Sequence, residues 1–110
     1  MPVIARAQSL PLPADIAERL LRLEPSFAAD APSADAVLYL GWFNSKPISA
    51  VWASGAADGR QLGGFAIHPA TRGRGVLARL AQEVRELETA AGHRVLSSDD
   101  YAPLDVDAPA

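Results

Sequence analysis

The sequence predicts an α+β domain with a mixed sheet, its elements running β-α-β-β-β-α-β. Three observations carry that prediction. Two apolar runs rich in β-formers, 36–43 and 48–54, are separated by the turn residues Asn44-Ser45-Lys46-Pro47. An apolar run broken by Gly63-Gly64 follows at 61–68. After it, Val76, Leu77, Leu80, Ala81, Val84, Leu87 and Ala91 trace one face of a helix.

Each element has a local reason. Val3-Ile4-Ala5 opens a strand, and Pro11 and Pro13 punctuate the chain after it. Ile16, Leu20, Leu21 and Leu23 recur at helical spacing, with Pro13 placed to start that helix and Pro25 to stop it. The small, proline-containing stretch 25–35 reads as loop or a short second helix. AVLYLGWF at 36–43 reads as a strand buried on both faces, with ISAVWAS at 48–54 as its hairpin partner. In this hairpin Trp42, Phe43 and Trp52 read as core and Asn44 as a turn former. GAADGR makes a second turn. Gly63-Gly64 in the next strand mark a bulge or a close backbone approach. Gly92 stands where a helix stops in left-handed conformation, and 93–96 reads as a last core strand. The final helix would then cross back to a parallel neighbour.

The 110 residues suffice for one domain, 1–98, with an acidic, Pro- and Ala-rich tail at 99–110. The tail is expected to fray or to fold against something else. Cysteine is absent, which excludes disulfides, thiolate metal sites and a cysteine nucleophile. His68 and His93 have no metal-ligand spacing. The net charge of −3 argues against nucleic-acid binding. No stretch approaches the roughly 20 apolar residues of a membrane span, and no cleavable leader pattern opens the chain. The expectation is a soluble cytoplasmic protein without metal, nucleic acid or membrane partners.

The chemistry concentrates in HPATRGRGVLARL, 68–80. A helix start exposes undonated N–H groups and the positive end of its dipole, and so attracts anions. Gly73 and Gly75 let the backbone close on a phosphate, and Arg72 and Arg74 add charge-assisted donors. GRGVLA fits the dinucleotide pattern G-x-G-x-x-A formally, but it follows a meander rather than the first strand of a doubly wound sheet. The P-loop pattern G-x-x-x-x-G-K-[ST] does not occur. Arg79 reads as a partner for Glu83 one turn on.

The string LGGFAIHPATRGRGVLARLAQEV resembles the acetyl-CoA-binding motif of the GNAT N-acetyltransferase superfamily: apolar strand, proline, R-G-x-G-[IV]-[GA], apolar helix. The resemblance implies a minimal GNAT-like sheet. It implies acetyl-CoA as cofactor, its diphosphate held by the amides of Arg72, Gly73, Arg74, Gly75, Val76 and Leu77. Its pantetheine arm would pair with the backbone of Phe65, Ala66 and Ile67 as an added strand. The implied activity is acetyl transfer to an amine, with a main-chain amide near Ile67 stabilising the oxyanion.

Two positions depart from the family pattern. Leu77 stands where the family prefers Gly or Ala; it either crowds the diphosphate or turns into the core. The usual helix and two strands beyond the last core strand are not matched, so the C-terminal part is shortened relative to the family. Tyr101 is the only tyrosine beyond the loop and the candidate general acid; His68 is the candidate base. Asp99 and Asp100 are placed to attract an amine. A second copy, in a homodimer, would complete the acceptor pocket.

A narrower likeness lies in MPVI, LYLGWFNSKPISAVW and the spacing from Phe43-Asn44 to Arg72. These are similar to the acetyl-CoA-sensing maturation factors of aspartate 1-decarboxylase. That likeness implies the alternative function, a non-catalytic regulator that binds a partner enzyme when acetyl-CoA is present.

Overall fold

The computed structural model describes residues 3–10, 12–25, 27, 30, 31 and 33–96. It contains β1 (Ile4–Gln8), α1 (Ala14–Leu23), β2 (Val37–Phe43), β3 (Lys46–Ser54), β4 (Gln61–Ile67), a 3-10 turn (Pro69–Thr71) and α2 (Val76–Ala90). The strands form one antiparallel meander in the order β1-β2-β3-β4. The predicted strand at 93–96 contributes one parallel bridge, Val95 to Arg60. There Arg60 N–H donates to the Arg94 carbonyl and Leu96 N–H to the Arg60 carbonyl, at 2.9 and 2.7 Å. No described helix is long and apolar enough to cross a membrane.

The β2–β3 turn is tighter than its sequence predicts. Only Asn44 and Ser45 turn the chain, at φ 50° and 64°. Two successive left-handed residues match the twist of the strands they join. Pro47 therefore lies inside β3, opposite Trp42, at a register shift next to Gly41. A bulge is where a strand tolerates a residue without an N–H.

The two helices cover opposite faces. Val76, Leu77, Leu80, Ala81 and Val84 of α2 pack on Ala5, Tyr39, Val51, Ala53, Leu62, Phe65 and Ile67. Each fully buried aliphatic there contributes about 1.5–3 kcal/mol. On the other face Leu20, Phe27, Leu38, Leu40, Ala50, Trp52 and Ala66 form a second cluster beneath α1. Phe27 stacks on Trp52 with centroids 6.4 Å apart. The central strands are thus buried on both faces, which explains their uninterrupted apolar runs.

Candidate cofactor site

The site begins in β4. Leu62 and Phe65 both join the α2-side core although two residues separate them, not the one that strand alternation requires. The extra residue is Gly64, at φ 65°, so β4 bulges where its register against β3 shifts. A Cβ on Gly64 would meet Trp52 Cδ1 at 3.1 Å, which leaves only glycine comfortable there.

Beyond the bulge, the side chains of Phe65, Ala66 and Ile67 are all buried. A ligand beside β4 can meet only their main chain. His68 N–H donates inward to the Ile48 carbonyl at 2.8 Å. By strand alternation the Ile67 amide and carbonyl point to the outer edge. Past the Arg60–Val95 bridge, no strand among the described residues pairs with that edge.

The chain then enters the loop. Pro69 starts the 3-10 turn, and His68 caps it: its Nδ1 accepts from the Ala70 amide at 3.1 Å. The Thr71 hydroxyl donates to the His68 carbonyl at 2.8 Å. Gly73 and Gly75 follow at φ 77° and 75°, conformations that a side chain would strain. The first main-chain hydrogen bond of α2 runs from the Arg79 amide to the Gly75 carbonyl. The Arg72 amide, expected in the cradle, donates instead to the Pro69 carbonyl at 3.3 Å, whereas among the described residues the amides of Gly73 to Ala78 meet no main-chain oxygen at hydrogen-bond distance and angle. No acidic residue sits in the first turn of α2 to offset the helix dipole.

This set fits the coenzyme A diphosphate. The glycines open the cradle, and a Cβ at Gly75 would meet nothing within 4 Å. Arg74 is exposed, and the Nε of Arg72 is shielded from solvent without an acceptor. Leu77 is fully buried in the α2-side core beside Val76, so it resolves to its packing alternative and leaves the cradle open. Arg79 pairs with Glu83 at 3.0 Å, as its spacing predicts.

His68 lies at the end of β4, but its Nδ1 lone pair is engaged by the Ala70 amide. In the neutral ring with this contact made, Nε2 carries the proton. Tyr101, Asp99 and Asp100 lie outside the described residues.

Sequence reasoning missed a buried polar cluster at the far end of α2. Glu88 and Arg60 are 1% and 3% exposed. Arg60 Nε donates to Glu88 Oε1 at 2.8 Å, and the Tyr39 hydroxyl donates to Oε2 at 3.0 Å. His93 Nδ1 also lies 3.0 Å from Oε2. The rest of the guanidinium donates to the carbonyls of Asp35, Gly55 and Ala53. Burial opposes the charge on Glu88, but hydrogen bonds from Arg60, His93 and Tyr39 outweigh it and hold the carboxyl below its ordinary value. Burial, then the Glu88 carboxylate, pushes the Tyr39 phenol up to about 12. A signal was present in the sequence: Glu88 stands four residues past Val84, on the apolar face, where a charge needs a buried partner.

No family model and no curated protein matches the sequence. Solved structures do match. The E. coli protein YhhK bound to coenzyme A aligns with a TM-score of 0.62 and 21% identity, over 80% of this chain and 70% of that one. An aminoglycoside acetyltransferase, HMB0005, from an uncultured soil sample aligns at 0.66 and 15%, over 100% and 95%. An aminoglycoside 6'-N-acetyltransferase complexed with coenzyme A aligns at 0.63 and 16%, over 81% of this chain and 57% of that one. At these identities the likeness is one of fold, and the chain has the fold of the GNAT acetyltransferases.

Proposed function

We propose that the chain binds acetyl-CoA and transfers its acetyl group to an amine. One observation carries the reading: the undonated amides from Gly73 to Ala78, flanked by Arg72 and Arg74, at a helix start without a local acid. When bound, acetyl-CoA supplies an activated acyl group. The amides of the loop and the two guanidinium groups hold the diphosphate. The outward edge of β4 beside Ile67 aligns the pantetheine arm, and the Ile67 amide faces the edge where the acyl oxygen gathers charge. Tyr101 is the proposed general acid. An amine arriving neutral needs no base before attack, which suits a site where His68 Nδ1 is already engaged.

Calorimetric titration with acetyl-CoA tests the binding. Saturable heat is expected, and Arg72→Gln with Arg74→Gln should weaken it at least about tenfold. No heat and no thermal stabilisation at millimolar ligand removes the proposal. Release of free coenzyme A with a panel of amines tests transfer, and Tyr101→Phe should slow it.

The engaged His68 ring also favours a second reading, a non-catalytic regulator that binds acetyl-CoA and a partner such as aspartate 1-decarboxylase. Under that reading no amine releases coenzyme A, and the two proteins co-purify only with acetyl-CoA.

A further inference from the structure

A cavity of about 300 Å³ opens between α1, the β2–β3 hairpin and the 3-10 turn. Arg19 and Lys46 flank it, Phe43 and Ile48 give it apolar surface, and His68 and Thr71 close its β4 side. It stands on the α1 and β3 side of the end of β4, whereas the cofactor edge is the strand's outer side.

Its charge is one-sided. The chain carries a net −3, yet among the described residues no carboxylate lines this cavity. Arg19 is held in place, since its Nε donates to the Pro47 carbonyl at 2.9 Å. That bond fixes the guanidinium plane. Among the described residues, no acid or carbonyl meets its two terminal nitrogens, and Lys46 has no ion-pair partner. A guanidinium ordered by its own protein has already lost the rotamer freedom that binding would otherwise remove. Its two terminal N–H groups match the two oxygens of a carboxylate. Apolar surface from Phe43 and Ile48 suits the body of a small molecule.

We propose that this cavity binds a small carboxylate-bearing molecule with an apolar body, at a site that borders the 3-10 turn of the loop but does not include the amides of its acetyl-CoA cradle. Arg19 takes the carboxylate through its terminal nitrogens, Lys46 adds a second positive charge, and Phe43 and Ile48 cover the apolar part. The proposal does not depend on acetyl transfer.

The test uses benzoate as probe, with benzamide as its neutral isostere and inorganic phosphate as a compact anion. Nitrogen-detected NMR follows the Arg19 Nε–H and the amides of Asn44 and Thr71. Benzoate should shift all three to saturation in the millimolar range. Benzamide should leave them still, and phosphate should act only at higher concentration. Arg19→Lys removes the fork and should weaken benzoate at least about tenfold. Lys46→Gln is exposed, cannot disturb the core, and should weaken it about two- to fivefold. Arg72→Gln with Arg74→Gln should leave benzoate binding unchanged while it disrupts acetyl-CoA binding. Equal shifts from benzamide or from phosphate overturn the proposal, as does benzoate binding that survives Arg19→Lys in a folded variant. Loss of benzoate binding in the Arg72/Arg74 variant also overturns it, because the anion would then sit at the head of α2.

Discussion

Replacing Glu88 with Gln should cost about 3 kcal/mol of folding stability. The carboxylate has one oxygen on Arg60 Nε and the other shared by the Tyr39 hydroxyl and His93 Nδ1. Hydrogen bonds to a buried charge are worth about 1.5–3 kcal/mol each. Glutamine keeps the shape and one acceptor oxygen, so part of that survives. The charge does not survive. Arg60, 3% exposed, would keep its three carbonyl acceptors but, among the described residues, only one anionic partner, the Asp35 carboxylate, 4.0 Å away and half exposed. Breaking a buried pair from one side costs about 3–5 kcal/mol, which sets the lower figure for Gln and the upper for Ala. A domain of this size has only about 5–15 kcal/mol to lose. Urea unfolding followed by the fluorescence of Trp42 and Trp52 measures the change, at constant slope. The sign with pH is fixed as well. The folded carboxyl sits below its ordinary value of 4.5, so its contribution is complete above that pH and fades as pH falls through the folded value. The gap between wild type and Glu88→Gln should therefore narrow in acid. A cycle with Arg60→Met should show the double variant costing less than the sum of the singles. A loss under about 1 kcal/mol for Glu88→Gln, or strict additivity in the cycle, refutes the reasoning.

Gly64→Ala places a Cβ 3.1 Å from Trp52 Cδ1 at φ 65°, and should cost about 1–2 kcal/mol in thermal or urea unfolding while weakening acetyl-CoA binding in calorimetry. Leu77→Ala empties a fully buried core position and should cost about 2–5 kcal/mol in urea, and by removing one of the two anchors of the first turn of α2 it should also weaken acetyl-CoA binding in calorimetry at temperatures where the variant is folded. Tyr39, with its phenol pushed up to about 12 by burial and Glu88, contributes stability that is complete below pH 10 and is lost as pH rises toward 12. Tyr39→Phe should remove that alkaline decline, read by unfolding curves between pH 8 and 11.

The hairpin, α2 and the glycine-arginine loop were legible because each is written in neighbouring residues. Apolar runs fixed 36–43 and 48–54, a 3.6-residue period fixed α2, and Pro69 announced the turn before the loop. What escaped the sequence depends on partners far along the chain. The Arg60–Glu88 pair spans 28 residues, and no local rule couples them. The run 93–96 reads as a strand, and among the described residues its parallel pairing is Val95 with Arg60, a partner 35 positions earlier that no local rule names. The capping of the 3-10 turn by His68 depends on side-chain direction, which the sequence does not carry. Leu77 kept two readings until packing chose between them.

The departure at Leu77 also bears on how the cradle keeps its aim. Val76 and Leu77 are 1% and 0% exposed, both seated in the α2-side core. Two adjacent anchors, about 100° apart around the helix axis, prevent the first turn from rotating. The amides of that turn are then held in one direction whether or not a ligand is present. A small residue at 77 would leave Val76 as the only anchor of the first turn. At the other end, Glu88 fixes α2 to the roots of β2 and β4 through Tyr39 and Arg60. The helix is thereby clamped some 18 Å apart, twelve residues at about 1.5 Å each, and the glycines before it are free to be flexible in chemistry without being free in position. Preorganised donors of this kind would bind an anion without first paying for their own ordering, and that is the physical reason a loop of six main-chain amides would suffice for the proposed diphosphate.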